Sequence, residues 1–410
     1  MSESCCRFCA TPLEHTFVDL GMSPLSNAYL TAQQTLRMEP FYPLHAFVCE
    51  ACFLVQLEEF ESPQRIFCDY AYFSSYSDSW VEHARHYALA MVARLKLGAA
   101  SQVVEIASND GYLLRHFREQ GISVLGVEPA ANVAAVAQQL GIPTRAEFFG
   151  VDCATRMARE NLRADLLVGN NVLAHVPDIN DFVGGLKILL ESDGVITMEF
   201  PHLLRLMQGN QFDTIYHEHF SYLSLLAVEK VFSAHGLALF DVEELPTHGG
   251  SLRIYARHAE DQSKPAMDAI GQLRENERQA GLDQLRTYAD FAESVRETKR
   301  GLLDFLIATK RAGKTVVGYG APAKGNTLLN YCGIRNDFLD YTVDRSPHKQ
   351  GKFLPGTHIA IHHPDKIRET RPDYLLILPW NIKDEVMEQM ADIRNWGGQF
   401  VLPIPKVEIC

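Results

Sequence analysis

An apolar strand that ends in an acid constrains this chain more than any other single feature. Ser101-Gln-Val-Val-Glu105 runs into Ile-Ala-Ser-Asn109-Asp110-Gly111, a tight polar turn, and then into a helix start at Tyr-Leu-Leu114. A second apolar strand, Val124-Leu-Gly-Val, ends in Glu128-Pro129. Parallel strands with a polar turn at their carboxyl ends form the crevice in which open α/β sheets bind nucleotide-type ligands, and the second acid is placed to accept from ribose hydroxyls.

The succession continues. Short strands are expected at Asp165–Gly169, Gly194–Phe200, Leu237–Asp241 and Leu252–Ala256, with helices at Ser79–Leu97, Asn180–Leu190 and Ser224–His235. Alternating strand and helix, ending in two strands joined by a loop, describes a class I methyltransferase sheet whose last strand runs antiparallel. No GxGxxG and no Walker lysine occur in this part, which disfavours a dinucleotide or a triphosphate. An acid where a pyrophosphate binder needs free amides favours a cationic ligand. S-adenosylmethionine, with its amino and sulfonium groups, fits better than NAD.

Length and charge narrow the class. A chain of 410 residues has room for two or three domains. A formal net charge of −13 argues against a broad nucleic-acid face, which needs clustered Lys and Arg. No apolar run approaches the ~18 residues of a membrane span. The N-terminus lacks the basic and apolar regions of a signal peptide, so the expected compartment is the cytoplasm. There, nine cysteines read as metal ligands more readily than as disulfides.

Two CxxC knuckles, Cys6-Arg-Phe-Cys9 and Cys49-Glu-Ala-Cys52, supply four thiolates for one closed tetrahedral zinc site. Cys5 adjoins Cys6, but Cys6 has the better spacing to Cys9. The runs Tyr42–Val48 and Phe53–Leu57 flank the second knuckle as a hairpin, the zinc-ribbon arrangement. A shell closed by four thiolates leaves no position for a water, so the zinc is expected to be structural.

After the strand ending in Glu199-Phe200-Pro201 stands Tyr216-His217-Glu218-His219, two imidazoles, a carboxylate and a phenol in four positions. A proton-transfer site needs such groups within hydrogen-bond reach of a substrate. Its bland alternative is a polar loop. The stretch Asp69–Trp80 alternates aromatic and hydroxyl residues, and is either a packed connector or a segment facing substrate. Residues Asp261 to Ala312 read as one charged helical connector. Beyond it, Lys314-Thr-Val-Val-Gly318-Tyr-Gly320-Ala-Pro-Ala-Lys324 is again strand, glycine turn and helix. Strands at Phe338–Asp344, Ile359–Ile361 and Tyr374–Leu378 complete a second α/β unit, whose turn amides and Lys324 suit a phosphate.

Five motifs together carry a resemblance. Glu105-Ile-Ala-Ser-Asn-Asp-Gly-Tyr-Leu-Leu114, Asn170-Asn-Val-Leu-Ala-His-Val-Pro177, Tyr216-His-Glu-His219, His248-Gly-Gly-Ser-Leu-Arg253 and Gly318-Tyr-Gly-Ala-Pro-Ala-Lys-Gly-Asn326 are the carriers. Over essentially its whole length the chain resembles the S-adenosylmethionine-dependent C-methyltransferases that act on nucleotide-linked 4-keto deoxysugars. The resemblance implies a zinc domain over 1–75 and a cofactor domain over 76–258. It also implies a helical connector with a C-terminal Rossmann-like α/β domain over 259–410, which helps hold a thymidine- or guanosine-diphosphate sugar. Methylation is expected most often at C-3, beside the C-4 ketone.

In that reading His219 is the base, Glu218 tunes or assists it, and Tyr216 and Tyr76 are oxyanion donors. The expected cofactor contacts are Glu105, Ala107, Asn109, Gly111, Glu128, Asn170 and Asn171. The expected substrate contacts are His175, Arg253, Tyr319, Lys324 and Asn326. A monomer is expected. The alternatives are a zinc-ribbon methyltransferase for RNA or protein, disfavoured by the acidic balance, and a silent cofactor-binding docking protein, disfavoured by the dense tetrad.

Overall fold

The computed structural model describes residues 4–62, 64, 74–76 and 78–410. Strands β1 (His15–Ser23), β2 (Tyr42–Val48) and β3 (Val55–Leu57) form an antiparallel ribbon, with the Cys49–Cys52 knuckle as the β2–β3 turn. The hairpin is as expected, and β1 is an addition. In β2 the alternation of the pleat buries Leu44, Ala46 and Val48 on one face.

The central sheet contains β4 (Gln102–Ile106), β5 (Ser123–Val127), β6 (Thr144–Arg145), β7 (Ala164–Asn170) and β8 (Leu190–Pro201). The short β9 (Ser221–Tyr222) leaves it, while β10 (Leu237–Leu245) and β11 (Ser251–His258) return to it. The order is β10-β11-β8-β7-β4-β5-β6, and β11 alone is reversed between its neighbours. Its helices are α1 (Asp78–Leu95), α2 (Leu114–Glu119), α3 (Ala131–Gln139), α4 (Val151–Arg159), α5 (Ile179–Leu189), α6 (Leu203–Gln208) and α7 (Leu225–Ala234). Ser224 caps α7 by accepting from the Ala227 amide at 3.1 Å.

The connector departs from expectation. It is two helices, α8 (Asp268–Gln279) and α9 (Leu285–Arg311), and Gly281 at φ +81° breaks the run. Glycine takes this left-handed conformation without a Cβ clash. Helix α9 meets the ribbon through Phe291, stacked on Phe17 at 4.6 Å, and meets the last domain through Lys299 on the Tyr331 carbonyl.

That domain contains β12 (Val316–Tyr319), α10 (Ala323–Cys332), β13 (Thr342–Val343), β14 (Ile361–His362), β15 (Tyr374–Ile377), β16 (Gln399–Leu402) and β17 (Glu408–Ile409). The order is β14-β13-β12-β15-β16-β17, parallel except for β17. The last two strands were not expected.

The three units share a core. One apolar cluster joins Phe17 and Leu44 of the ribbon, Phe212 and Ile215 beside the tetrad, Val295 and Leu302 of α9, and Leu328 and Leu376 of the last domain. Strand β9, which starts two residues after His219, pairs with β3 through Val55–Tyr222 and Gln56–Ser221. The segment that carries the tetrad is thereby part of the zinc-ribbon sheet.

Candidate active site

Past β4 the chain turns sharply. Ala107 (φ +56°), Asn109 (+50°) and Gly111 (+79°) lie in left-handed conformations, and the Ala107 amide donates to Val127 O at 2.7 Å. A Cβ on Gly111 would stand 2.9 Å from Ile142 Cγ1, so this glycine meets both a φ and a space requirement. Glu128 holds the turn from the end of β5, accepting from the Asn109 and Ala130 amides at 2.9 Å each.

Glu105 Oε2, Asp110 Oδ1 and both amide atoms of Asn170 are buried without hydrogen-bond partners among the described residues. Burial first, then Glu128 and Asp110, push the Glu105 carboxyl well above its usual range. Buried carboxyls that repel one another favour a cationic guest. The donor set fits S-adenosylmethionine. Glu105 and Asp110 answer its positive charge, Glu128 lies by the ribose position of this fold, and Asn170 offers donor and acceptor. The 3-10 turn Ser74–Tyr76 docks on this loop, with the Ser74 amide on Asn109 Oδ1 at 2.9 Å and the Ser75 amide on Asp110 Oδ2 at 3.2 Å. The side chain of Tyr76, and residues 69–73 and 77 of the Asp69–Trp80 stretch, lie outside the described residues.

Glu199, near the end of β8, gathers three donors: His83 Nε2 at 3.0 Å, Arg253 at 2.9 Å and Thr247 Oγ1 at 3.1 Å. Burial pushes its carboxyl up, but His83 and Arg253 outweigh it and hold the carboxyl low. Arg253 also pairs with Glu243 at 2.9 Å, and its guanidinium lies over the Tyr87 ring. Arg253, an expected substrate contact, is buried and engaged by two carboxylates inside the sheet.

The tetrad divides. His219 Nδ1 donates to the Thr214 carbonyl at 2.8 Å, which assigns the tautomer and leaves Nε2 as the basic nitrogen. Around its ring stand Tyr216, with centroids 4.1 Å apart, and His175 at 4.6 Å, edge-on. Burial, then His175, His248 and Lys324, hold the His219 pKa well below the usual value, so the ring is neutral at pH 7. His175 is pushed down to about 4 by burial, against a hydrogen bond to the Glu218 backbone. Glu218 is buried and pushed up to about 7, and its Oε1 accepts from Asn27 Nδ2 at 2.6 Å. His217 turns the other way, to the Pro43 carbonyl at 3.1 Å and the rings of Tyr42 and Phe60.

Opposite the sheet, Lys324 is half-buried at the start of α10. It donates to Asn381 Oδ1 at 2.7 Å and lies 4.5 Å from the Trp380 ring centroid. Trp380 Nε1 donates to Asp213 Oδ2 at 2.7 Å, and burial pushes that carboxyl up to about 6. A Cβ on Gly249 would stand 2.7 Å from Trp380 Cη2, so the glycine lets the indole seat on the His248–Gly250 turn. His248 accepts from Asn171 Nδ2 at 3.3 Å and faces Trp80 at 5.1 Å. Asn326 is buried, with neither amide atom partnered among the described residues. Tyr319, another expected substrate contact, donates its hydroxyl to Gln389 Oε1 at 2.7 Å within the core of the last domain. Sequence reasoning missed Asn27, His83, Asp213 and Trp380. A lone Asn or Trp in an unremarkable loop carries no local signal.

The zinc ligands converge. The Sγ atoms of Cys6, Cys9, Cys49 and Cys52 all lie within 4.8 Å of one another, with Cys6–Cys52 at 3.6 Å and Cys9–Cys49 at 3.5 Å, and Cys5 does not belong to this group. Four thiols around one point fit a tetrahedral zinc. Gln56 Nε2 donates to Cys6 Sγ at 3.2 Å, and Arg7 donates to the Pro177 carbonyl at 2.5 Å, which ties the knuckle to the Asn170–Pro177 motif.

Comparison with known proteins agrees with this layout. Three family models match in succession: "Putative zinc binding domain" over residues 6–67, "Methyltransferase domain" over 80–242 and "C-methyltransferase C-terminal domain" over 246–405. The C-methyltransferase NovU of Streptomyces niveus is 35% identical over 406 residues, which cover 98% of this chain and 96% of that protein. Among solved structures, the magnesium protoporphyrin IX methyltransferase of Synechocystis PCC 6803 with bound S-adenosylmethionine is 16% identical, covering 47% of this chain and 88% of its own, at a TM-score of 0.33. An S-adenosylmethionine-dependent methyltransferase of Mesorhizobium loti is 15% identical, with 43% and 100% covered, at a TM-score of 0.35. No helix among the described residues is long and apolar enough to cross a membrane.

Proposed function

This chain belongs to the S-adenosylmethionine-dependent C-methyltransferases, and we propose that its substrate is a nucleotide-linked 4-keto deoxysugar, methylated at the carbon beside the ketone, C-3. An ordinary sugar carbon is not a nucleophile, whereas a ketone makes the neighbouring C–H acidic enough for a base to remove. The observation that carries the reading is His219, neutral, with Nδ1–H donated to Thr214 O and Nε2 left to accept a proton. Its low proton affinity suits a base that must be unprotonated before substrate arrives, and a developing enolate beside it would raise that affinity.

Tyr216, against the His219 ring, is the proposed donor to the enolate oxygen, and Tyr76 is a second by resemblance. S-adenosylmethionine, when bound, supplies an electrophilic methyl group to the enolate carbon. Glu105, Asn109, Asp110, Glu128 and Asn170 orient it. His175, beside the His219 ring, borders the sugar. Lys324, with Asn326 on the same helix, suits the diphosphate, because a half-buried ammonium at a helix start attracts anions. Zinc takes no step and holds the ribbon together.

The test uses the protein with S-adenosylmethionine and thymidine- or guanosine-diphosphate 4-keto deoxysugars in deuterated water. The expected result is exchange of the α-proton and gain of a methyl group, both lowered about 10²- to 10⁴-fold in His219→Asn, the range for loss of a general base. No exchange with any such sugar, or full activity in His219→Asn, would falsify the proposal. Turnover of RNA or protein instead would move the chain to another substrate class.

A further inference from the structure

We infer that Asn27, on the long loop between β1 and β2 of the zinc ribbon, is a positioning residue for the deprotonation, acting through the Glu218 carboxylate. The inference rests on the reading of the tetrad as the deprotonation centre. Asn27 lies 191 positions from Glu218 in the chain, yet its Nδ2 stands 2.6 Å from Oε1. A carboxylate only accepts, so the amide nitrogen must face it. Among the described residues, this bond is what offsets the burial that pushes the Glu218 carboxyl up to about 7.

The loop is pinned where it would need to be to hold such a contact. Leu30 and Phe353 exchange both backbone hydrogen bonds, at 3.0 and 2.8 Å, and tie the loop to the last domain. Ser26 Oγ meets Thr327 Oγ1 at 3.4 Å, and Thr327 donates to Ile215 O, just before the tetrad. Tyr29 donates to Ala321 O at 2.6 Å. Asn27 itself is exposed between these anchors, so its side chain contributes little to the core.

The groups around Glu218 come from three elements. Asn27 stands on the ribbon loop, and His175 bonds the Glu218 backbone from the connection after β7. Tyr29, on the ribbon loop, interacts electrostatically with Glu218, and also with Lys349 and Asp344 of the last domain. Of these, Asn27 alone donates to the carboxylate. Loss of that donor makes the ionised form less favourable, and a rate that needs ionised Glu218 then rises only at higher pH.

The experiment measures α-proton exchange of a 4-keto deoxysugar nucleotide against pH for the wild type, Asn27→Ala, Asn27→Asp, Glu218→Gln and the Asn27→Ala/Glu218→Gln pair. Removing a hydrogen bond to a charged group is expected to slow exchange about 10- to 100-fold at neutral pH. The acid limb should move to higher pH in Asn27→Ala and further in Asn27→Asp, where like charge faces like. Affinity for S-adenosylmethionine by calorimetry and zinc content should stay as in the wild type. The Ala substitution should add nothing once Glu218 is Gln. An unchanged pH profile in Asn27→Ala and Asn27→Asp, or a full additional loss in the Glu218→Gln background, overturns the inference. A wild type that exchanges no proton from any such sugar instead strikes down the reading of the tetrad, and this inference with it.

Discussion

His217 and His219 stand two positions apart and do opposite things. His219 gives Nδ1–H to Thr214 O and keeps Nε2 for chemistry, whereas His217 gives Nε2 to Pro43 O and packs between Tyr42 and Phe60. Both are held below the usual imidazole range by burial, so neither carries charge at neutral pH. What separates them is the neighbour. His219 shares its space with His175, His248 and Lys324, while His217 faces the ribbon. The expected outcome is therefore asymmetric. His217→Ala should lower melting temperature through lost packing while keeping α-proton exchange within a few-fold of the wild type. His219→Asn should keep its melting temperature and lose exchange. Kinetics and a thermal melt on the two variants check it.

The element that carries the tetrad is an excursion from β8 to α7, and its two ends are held by one residue of the connector. Glu277 on α8 accepts from His202 Nε2 at 2.7 Å, at the start of the excursion. It also accepts from the Leu225 and Leu226 amides at 2.7 and 2.9 Å, at the N-terminus of α7. Glu277 and the His202 side chain are fully buried. A carboxylate at a helix N-terminus meets free amides and the positive end of the helix dipole. Removing one partner of a buried charged network leaves the others unsatisfied, at about 3–5 kcal/mol. Glu277→Ala is expected to lose stability on that scale in denaturant titration. A change below about 1 kcal/mol would mean that the clamp is redundant.

At the scale of the whole molecule the zinc ribbon and the last domain close on the tetrad from two sides. Strand β9 completes the ribbon sheet, Arg7 bonds the end of the Asn170–Pro177 motif, and Trp380 reaches from the last domain to Asp213. The four cysteines would hold zinc at the β2–β3 turn of the sheet to which β9 belongs. One zinc per chain is expected by elemental analysis. Cys52→Ser, or prolonged chelation, should lower zinc content, melting temperature and α-proton exchange together. Zinc-depleted protein with wild-type exchange would show that β9 keeps its place without the metal.

Much of this was legible from local pattern. The strands at Glu105 and Glu128, the reversed final strand and the two knuckles follow from periodicity and spacing, which act within a few residues of one another. The tetrad was legible as a cluster of titratable groups and the resemblance singled out His219 within it, but the partner that each imidazole bonds was not legible. The partners of two expected substrate contacts were not legible, for one reason. Arg253 and Tyr319 carry groups that suit a phosphate or a sugar, yet Glu199, Glu243 and Gln389 claim them. The helical connector read as one element because Gly281 is only a weak signal inside a charged run.

The sequence by itself determined the class of chemistry. An acid-tipped parallel sheet, four cysteines in two CxxC turns and a dense acid–base tetrad are local facts, and hydrophobic periodicity with ligand spacing is enough to specify them. Only the tertiary structure decided which groups meet. Asn27 against Glu218, Glu277 across the base of the excursion and Trp380 on Asp213 are pairings across 191, 51 to 75 and 167 positions. Such partners are selected by how three units pack around one core, and no local preference in the chain encodes that choice.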